Sequence, residues 1–371
     1  SNTIDLDDVT SLNLSGRWNW ASLKMEDQYS SALEGHHFFN EFNPGVGITR
    51  KLGDTLSFGN TTVYATYKES SRNPSVAELG CADPAQPCRL PNSFQADPPL
   101  DEVKNRSFEF GARGVKDGLN LFGLDHSINW NATAFAGRNF NDIIFIGGNR
   151  VGTGYFRNVG NTQRMGTELS INGKLGKNIT WYGNYSYVRA SFETHQKIAS
   201  AGHSEALLIS CEGPEEYGAG GDAAATADQE SCEARESYQI QVGPGDAIPG
   251  VSPHIGRIGF GFIPFDGLGL FVDTEYNSRQ FYRGDENNAE GKQVPGYFLV
   301  NASLEYTVPR ANADKAGFST SIFFEGRNLL DTNFETGGIL AENEVDGTGG
   351  SGTFVTPGQP LTVFGGMKFT W

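Results

Sequence analysis

Strict alternation is the feature that most limits how this chain can fold. In the last segment Leu361, Val363, Gly365, Met367, Phe369 and Trp371 stand on one side of an extended chain, with Thr362, Phe364, Gly366, Lys368 and Thr370 on the other. The same period of two sets Phe298, Val300, Ala302, Leu304, Tyr306 and Val308 against Asn301, Ser303, Glu305 and Thr307. It sets Leu268, Leu270, Val272 and Tyr276 against Asp273, Glu275, Asn277 and Arg279. Side chains of a strand point alternately to its two faces, so each segment reads as a strand with one apolar and one polar side. About twelve strands are predicted, over 11–25, 40–52, 56–71, 103–115, 127–145, 153–173, 177–192, 254–264, 267–283, 296–308, 316–330 and 360–371. No amphipathic helix of good length interrupts them.

The connections alternate too. Long or medium ones (26–39, 72–102, 146–152, 193–253, 284–295 and 331–359) are separated by short ones near 52–54, 116–126, 175–177, 265–267 and 309–315. In an up-and-down barrel every second connection lies on the same side. Short turns on one side and long loops on the other are the mark of an outer-membrane barrel. A water-soluble sandwich or propeller also alternates, but its strands run nearer five or six residues and its loop lengths are not sorted by parity. The predicted fold is therefore all-β: an antiparallel up-and-down transmembrane β-barrel.

Composition agrees. The 48 Gly, 26 Phe, 13 Tyr and 5 Trp against 3 Met suit strands and turns. The hydrophobic fraction of 37% falls below the soluble norm of roughly 45–50%, as expected when lipid-facing and lumen-facing residues alternate. No run approaches 18 apolar residues, which excludes helical membrane spans but not strands. A net charge of −16 excludes a general nucleic-acid binder, because phosphate needs Lys and Arg. The start, Ser1-Asn2-Thr3, lacks the basic and apolar stretches of a signal peptide, so a processed, truncated or recombinant start is expected. Strand charges expected to face inward are Glu109, Arg113, Arg164, Glu168, Arg257, Asp273, Glu275, Arg279, Glu305, Glu325, Arg327 and Lys368. Each would cost about 2–4 kcal/mol on the lipid face at mid-membrane. A lumen that is wet, or filled by another polar body, follows.

Several stretches together resemble one family, the TonB-dependent outer-membrane receptors. They are Tyr64-Ala65-Thr66-Tyr67 leading to Ser71-Arg72-Asn73-Pro74 and Glu78-Leu79; Ser107-Phe108-Glu109-Phe110-Gly111; Ala132-Thr133-Ala134-Phe135 followed by Asp142-Ile143-Ile144; and Asn158-Val159-Gly160-Asn161 through Gly166-Thr167-Glu168-Leu169. Tyr282-Arg283-Gly284-Asp285-Glu286-Asn287, Pro295-Gly296-Tyr297, Asn328-Leu329-Leu330-Asp331 and the terminal Phe369-Thr370-Trp371 complete the set. The resemblance implies a 22-stranded barrel with an N-terminal plug, uptake of a scarce ligand, and energy from a periplasmic coupling protein. Residues 1–371 then correspond to the C-terminal portion of the barrel, with long extracellular loops near 72–102, 193–253 and 331–359. The plug and the N-terminal strands are missing partners. Phe369 and Trp371 would form the barrel-insertion signal, and an aromatic at the terminus also suits the interfacial girdle.

Cys81 and Cys88 lie in one long loop, Cys211 and Cys232 in another, so two local disulfides are expected. A metal site is the alternative, but neither spacing is C-x-x-C and no His adjoins either pair. Loops 194–253 and 331–358 carry −8 and −5 of the net −16. Such an acidic vestibule would concentrate a cationic or metal-bearing ligand. A solvated surface bridged to lipopolysaccharide by divalent ions is the plainer reading. Glu342-Asn343-Glu344-Val345-Asp346-Gly347 is loosely like a calcium loop but lacks the distal Glu. His36 with His37, or His195 with His203, could form a transition-metal site; isolated surface histidines are the commoner case.

Arg72, Glu275, Arg279, Asp285 and Glu286 are the ligand-binding candidates, with Arg72 alternatively bracing its loop. No catalytic residue, metal or cofactor is assigned. The leading expectation is a receptor, or part of one, for a metal chelate such as a ferric siderophore. A self-contained twelve-stranded pore or translocator is the alternative. So is a phospholipase, although His126-Ser127 lies at the short-turn end, away from where such an enzyme needs its Ser and His.

Overall fold

The computed structural model describes residues 1–26, 34–54, 58–82, 100–147, 154–200, 202–209, 237–308, 319–343 and 350–370. Thirteen strands form one antiparallel sheet, each paired with the next in the series: Asn2–Asp5, Thr10–Met25, Gly35–Gly53, Asn60–Arg72, Val103–Leu121, Leu124–Phe140, Thr162–Leu175, Ile179–Phe192, His254–Phe265, Leu268–Asn277, Tyr297–Thr307, Ser319–Arg327 and Thr362–Thr370. This is the up-and-down order that the loop parity demanded. Short turns join alternate pairs: Phe122-Gly123, both at positive φ, reverse the chain in two residues, the geometry that matches strand twist. At Asp266-Gly267 the glycine has φ 96°, and a Cβ there would stand 2.3 Å from the Thr307 carbonyl oxygen.

Apart from shifts of a few residues at strand ends, four elements divide differently from the sequence reading. Strand Asn2–Asp5 was not anticipated; it is only four residues long. The spans 127–145 and 153–173 each ran one sheet strand together with one arm of a loop hairpin, Ile143–Gly147 paired with Gly154–Asn158. Apolar residues continue through Ile143-Ile144-Phe145-Ile146, but Asn141 at φ 55° turns the chain out of the sheet. Asp142 then locks the hairpin base, accepting from Thr162 Oγ1 (2.6 Å) and Arg164 (3.1 Å). The span 267–283 likewise ends at Asn277, and Gln280–Phe281 pairs instead with Gln293–Val294.

One face of the sheet is apolar and exposed: Trp18, Trp20, Phe42, Phe108, Phe110, Ile258, Phe260, Val272, Phe324, Val363 and Met367. The other is polar, and its groups pair across strands. Arg257 meets Glu275 at 2.8 Å, Asn301 donates to Asp273 at 3.0 Å, and the Tyr64 and Thr133 hydroxyls lie 2.7 Å apart. Lys68 stands 3.9 Å from Glu109, and Arg327 2.7 Å from Glu325. Water would not tolerate so broad an exposed apolar face on a monomer, whereas acyl chains solvate it. No helix among the described residues is long and apolar enough to cross a membrane.

Candidate functional site

The long connections fold over one end of the sheet into a cap with its own cores. The largest joins Ile146, Tyr155, Val159, Phe192, Ile198, Ile240, Val242 and Ile248, drawn from the 140–162 and 192–254 connections. Its ladder is a three-stranded sheet in which Ser237–Val242 lies between Gln196–Ala199 and Leu207–Ile209. A second core gathers Leu79, Ala82, Leu100, Val103 and Ile143, and a third Tyr282, Val294 and Leu340.

In the 72–103 connection Ser75 caps the single-turn helix Val76–Leu79, with Glu78 reaching back to the Ser75 amide. Arg72 lies 2.7 Å from Glu78. Burial opposes the Glu78 charge, but Arg72 and the Ser75 donors outweigh it and hold the carboxyl below its ordinary pKa. Arg72 thus braces the loop. Cys81 follows, buried and disulfide-bonded; its carbonyl accepts from the Phe156 amide at 2.6 Å, tying this loop to its neighbour. Cys88, Cys211, Cys232 and Trp371 lie outside the described residues, as do Glu344, Asp346 and Gly347 of the calcium-like stretch.

The remaining candidates separate. Glu275 is on the polar face beneath the cap, held by Arg257 and by Asn277 Nδ2 at 2.8 Å. Arg279, expected to face inward by parity, lies beyond the end of the strand at Asn277 and lines a cleft with Tyr276 and Phe298 of the apolar row and Tyr297 of the polar one. Parity gives no facing for a residue outside the ladder. Phe369 is half exposed on the apolar face.

Asp285 and Glu286 are buried inside the 277–297 connection instead of at its surface. Asp285 Oδ1 sits 3.2 Å from His203 Nε2 and accepts the Glu290 amide at 3.2 Å. Glu286 accepts the Gly284 amide at 2.9 Å. Burial raises Asp285, although the Glu290 amide and His203 pull it back, and burial raises Glu286 to about 7. Among the described residues Asp285 Oδ2 and Glu286 Oε2 find no hydrogen-bond partner. The sequence reading missed this cluster as a unit. His203 and Asp285 are 82 positions apart, and no local signal couples them. His203 was paired with His195 as a metal site, but no group of three His, Cys, Asp or Glu among the described residues is arranged to hold a metal. His36 hydrogen-bonds Ser22 at 3.0 Å, and His126 accepts from Trp181 Nε1 at 3.1 Å.

Beneath the cap the polar face carries a groove lined by Lys68, Asn105, Glu109, Thr133, Arg164 and Glu168. It offers charges of both signs and carboxamide and hydroxyl groups. That set suits a polar, many-oxygened solute and contains no nucleophile–base pair.

The TonB dependent receptor-like β-barrel family matches residues 1–329, and the chain belongs to that family. Its members are transporters, not enzymes. A comparison with curated proteins yields no match. Among solved structures, the copper transporter OprC aligns over all of this chain and 46% of its own, with TM-score 0.62 and 16% identity. The siderophore receptor PiuA from Acinetobacter baumannii aligns over 99% and 42%, with TM-score 0.60 and 15% identity. The ferric yersiniabactin uptake receptor FyuA from Yersinia pestis aligns over 99% and 44%, with TM-score 0.57 and 12% identity. At these identities the likeness is one of fold. The chain spans about half the length of each.

Proposed function

We propose that this chain forms part of an outer-membrane active-transport receptor that takes up a scarce ligand such as a ferric siderophore or another metal chelate. The observation that carries the reading is the pairing of a lipid-solvated wall with a polar inner face under a packed cap. A passive pore has no need of a cap with three cores of its own. Similarity in fold to a copper transporter and to siderophore receptors supports a metal-bearing ligand. The acidic balance of the long connections, which would attract a cationic complex, does so too.

A plug and the N-terminal barrel strands complete the receptor in this reading, with a TonB-type protein supplying energy through the plug. Outer-membrane lipid and lipopolysaccharide surround it in a Gram-negative outer membrane. Growth under iron limitation, with and without the intact gene, tests the reading: loss of growth that added iron restores is expected. Steady ohmic conductance of the purified protein in a planar bilayer, with no growth phenotype, would point to a pore.

A further inference from the structure

We propose that the outer wall carries a binding cleft for the phosphorylated headgroup of an outer-leaflet lipid, with Arg189 and Arg279 as its phosphate ligands. This deepens the membrane-receptor reading and rests on its account of which face meets lipid. The cleft lies at the rim where the wall meets the cap: Tyr187, Arg189, His254 and Tyr276 come from the strand ends, Arg279 and Gln293 from the 277–297 connection, and Ile248 and Val251 of the cap close it. A second hollow continues past Arg279 to Phe298. Among the described residues neither is lined by an Asp or a Glu, in a chain of net charge −16. Both guanidiniums are exposed, and neither makes a side-chain hydrogen bond or ion pair with another described residue.

The position fits a headgroup. Tyr187 and Arg189 continue the outward row of Tyr185. Tyr276 continues that of Val272, beside Gly256 and Phe298 in the neighbouring strands. Below lie Ile258, Phe260 and Val272, all exposed. At the rim the Tyr185 hydroxyl meets His254 Nδ1 at 2.8 Å, and the Tyr187 and His254 rings stand 5.0 Å apart. Apolar rows ending in an aromatic girdle mark the depth at which acyl chains give way to headgroups. Two guanidiniums one step beyond it, on the long-loop side, face that layer. Elsewhere on the same wall Arg106 and Arg138 stand directly opposite each other, both over the Phe140 ring, above exposed Phe108 and Ala136. Arginine's fork matches phosphate oxygens two at a time, and a headgroup phosphate would relieve charges that no carboxylate among the described residues of the cleft balances.

The test is native mass spectrometry of the complete protein, purified from outer membranes, delipidated and titrated with three probes. These are phosphorylated lipid A, its dephosphorylated counterpart, and inorganic phosphate. Phosphorylated lipid A should bind about tenfold tighter than the dephosphorylated form, and R189A/R279A should abolish that preference. R189K/R279K, which keeps the charge without the fork, should retain part of it. Lys116→Ala, at the opposite rim and paired with Asp54, should leave it unchanged. Heat-modified electrophoretic mobility reports folding of each variant. Equal binding of the two lipids by the parent, equal preference in R189A/R279A, or displacement of the lipid by inorganic phosphate would each overturn the proposal. Iron-limited growth of the same strains reads the transport function separately, so failure of one reading is not mistaken for failure of the other.

Discussion

The wall and the cap of this molecule are built to opposite rules. In the wall, Phe108 is 62% exposed and Phe260 60%, and stability comes from backbone ladders between chain neighbours and from polar pairs on the inner face. In the cap, Phe192, Leu79, Ile198, Ile240, Val242 and Val294 are almost completely buried, within contacts that join residues far apart in sequence. One chain thus satisfies two solvents: lipid plays the part of the missing core for the wall, while the cap, in water, must make its own. The comparison teaches that the same residue type has a different worth in each region.

Substitution breaks the comparison most sharply at Phe192. Phe192→Ala should cost the cap about 3–5 kcal/mol, from lost burial plus a cavity. Faster proteolysis and amide exchange across 196–199 and 237–242 should follow, with heat-modified mobility of the barrel unchanged. Phe260→Ala, on the exposed lipid face, should leave that exchange unaltered. Phe260→Arg should instead destabilise the wall by about 2–4 kcal/mol, read as a lower urea midpoint for folding into bilayers.

Glu286 offers a smaller, pH-dependent contrast. Its carboxyl is raised to about 7 in the folded cap against an ordinary 4.5. Below 4.5 the group is protonated folded or unfolded and carries no penalty. As pH rises from there through 7 the folded state must give up a proton it favours, and stability falls by as much as about 3 kcal/mol. Asp285, also raised, adds in the same direction. Protection factors across 280–294, which remove the intrinsic rise of exchange with pH, should therefore fall between pH 5 and 8, and Glu286→Gln should flatten that slope. The smallest expected effect is at the half-exposed Arg72–Glu78 pair, where Arg72→Ala should cost about 0.5–1 kcal/mol and fray Val76–Leu79 first.

Most of the wall was legible because its rule is local. A period of two and a turn every second connection are written in consecutive residues, and the inward charges Arg257, Glu275, Glu325 and Arg327 fall on the polar face as parity requires. Errors arose where the alternation outlasted the ladder. The arms 143–147 and 154–158 are apolar and aromatic enough to pass for strand continuations, and the turn at Asn141 is a matter of backbone conformation that composition does not announce. Arg279, two residues past Asn277, likewise lies beyond the strand to which the alternation assigned it. Arg72 was legible as a brace, since its acidic partner is six positions away.

What the amino-acid sequence determined by itself was the number of faces, their polarity and the order of the strands, because each depends only on neighbours two positions apart and on turn length. What only the tertiary structure decided was the cap: that His203 meets Asp285, that Ile198 meets Ile240, and that Asp285 and Glu286 turn inward. The physical reason is that burial in water is won by whichever distant apolar groups close-pack, and close packing is a property of shape in three dimensions.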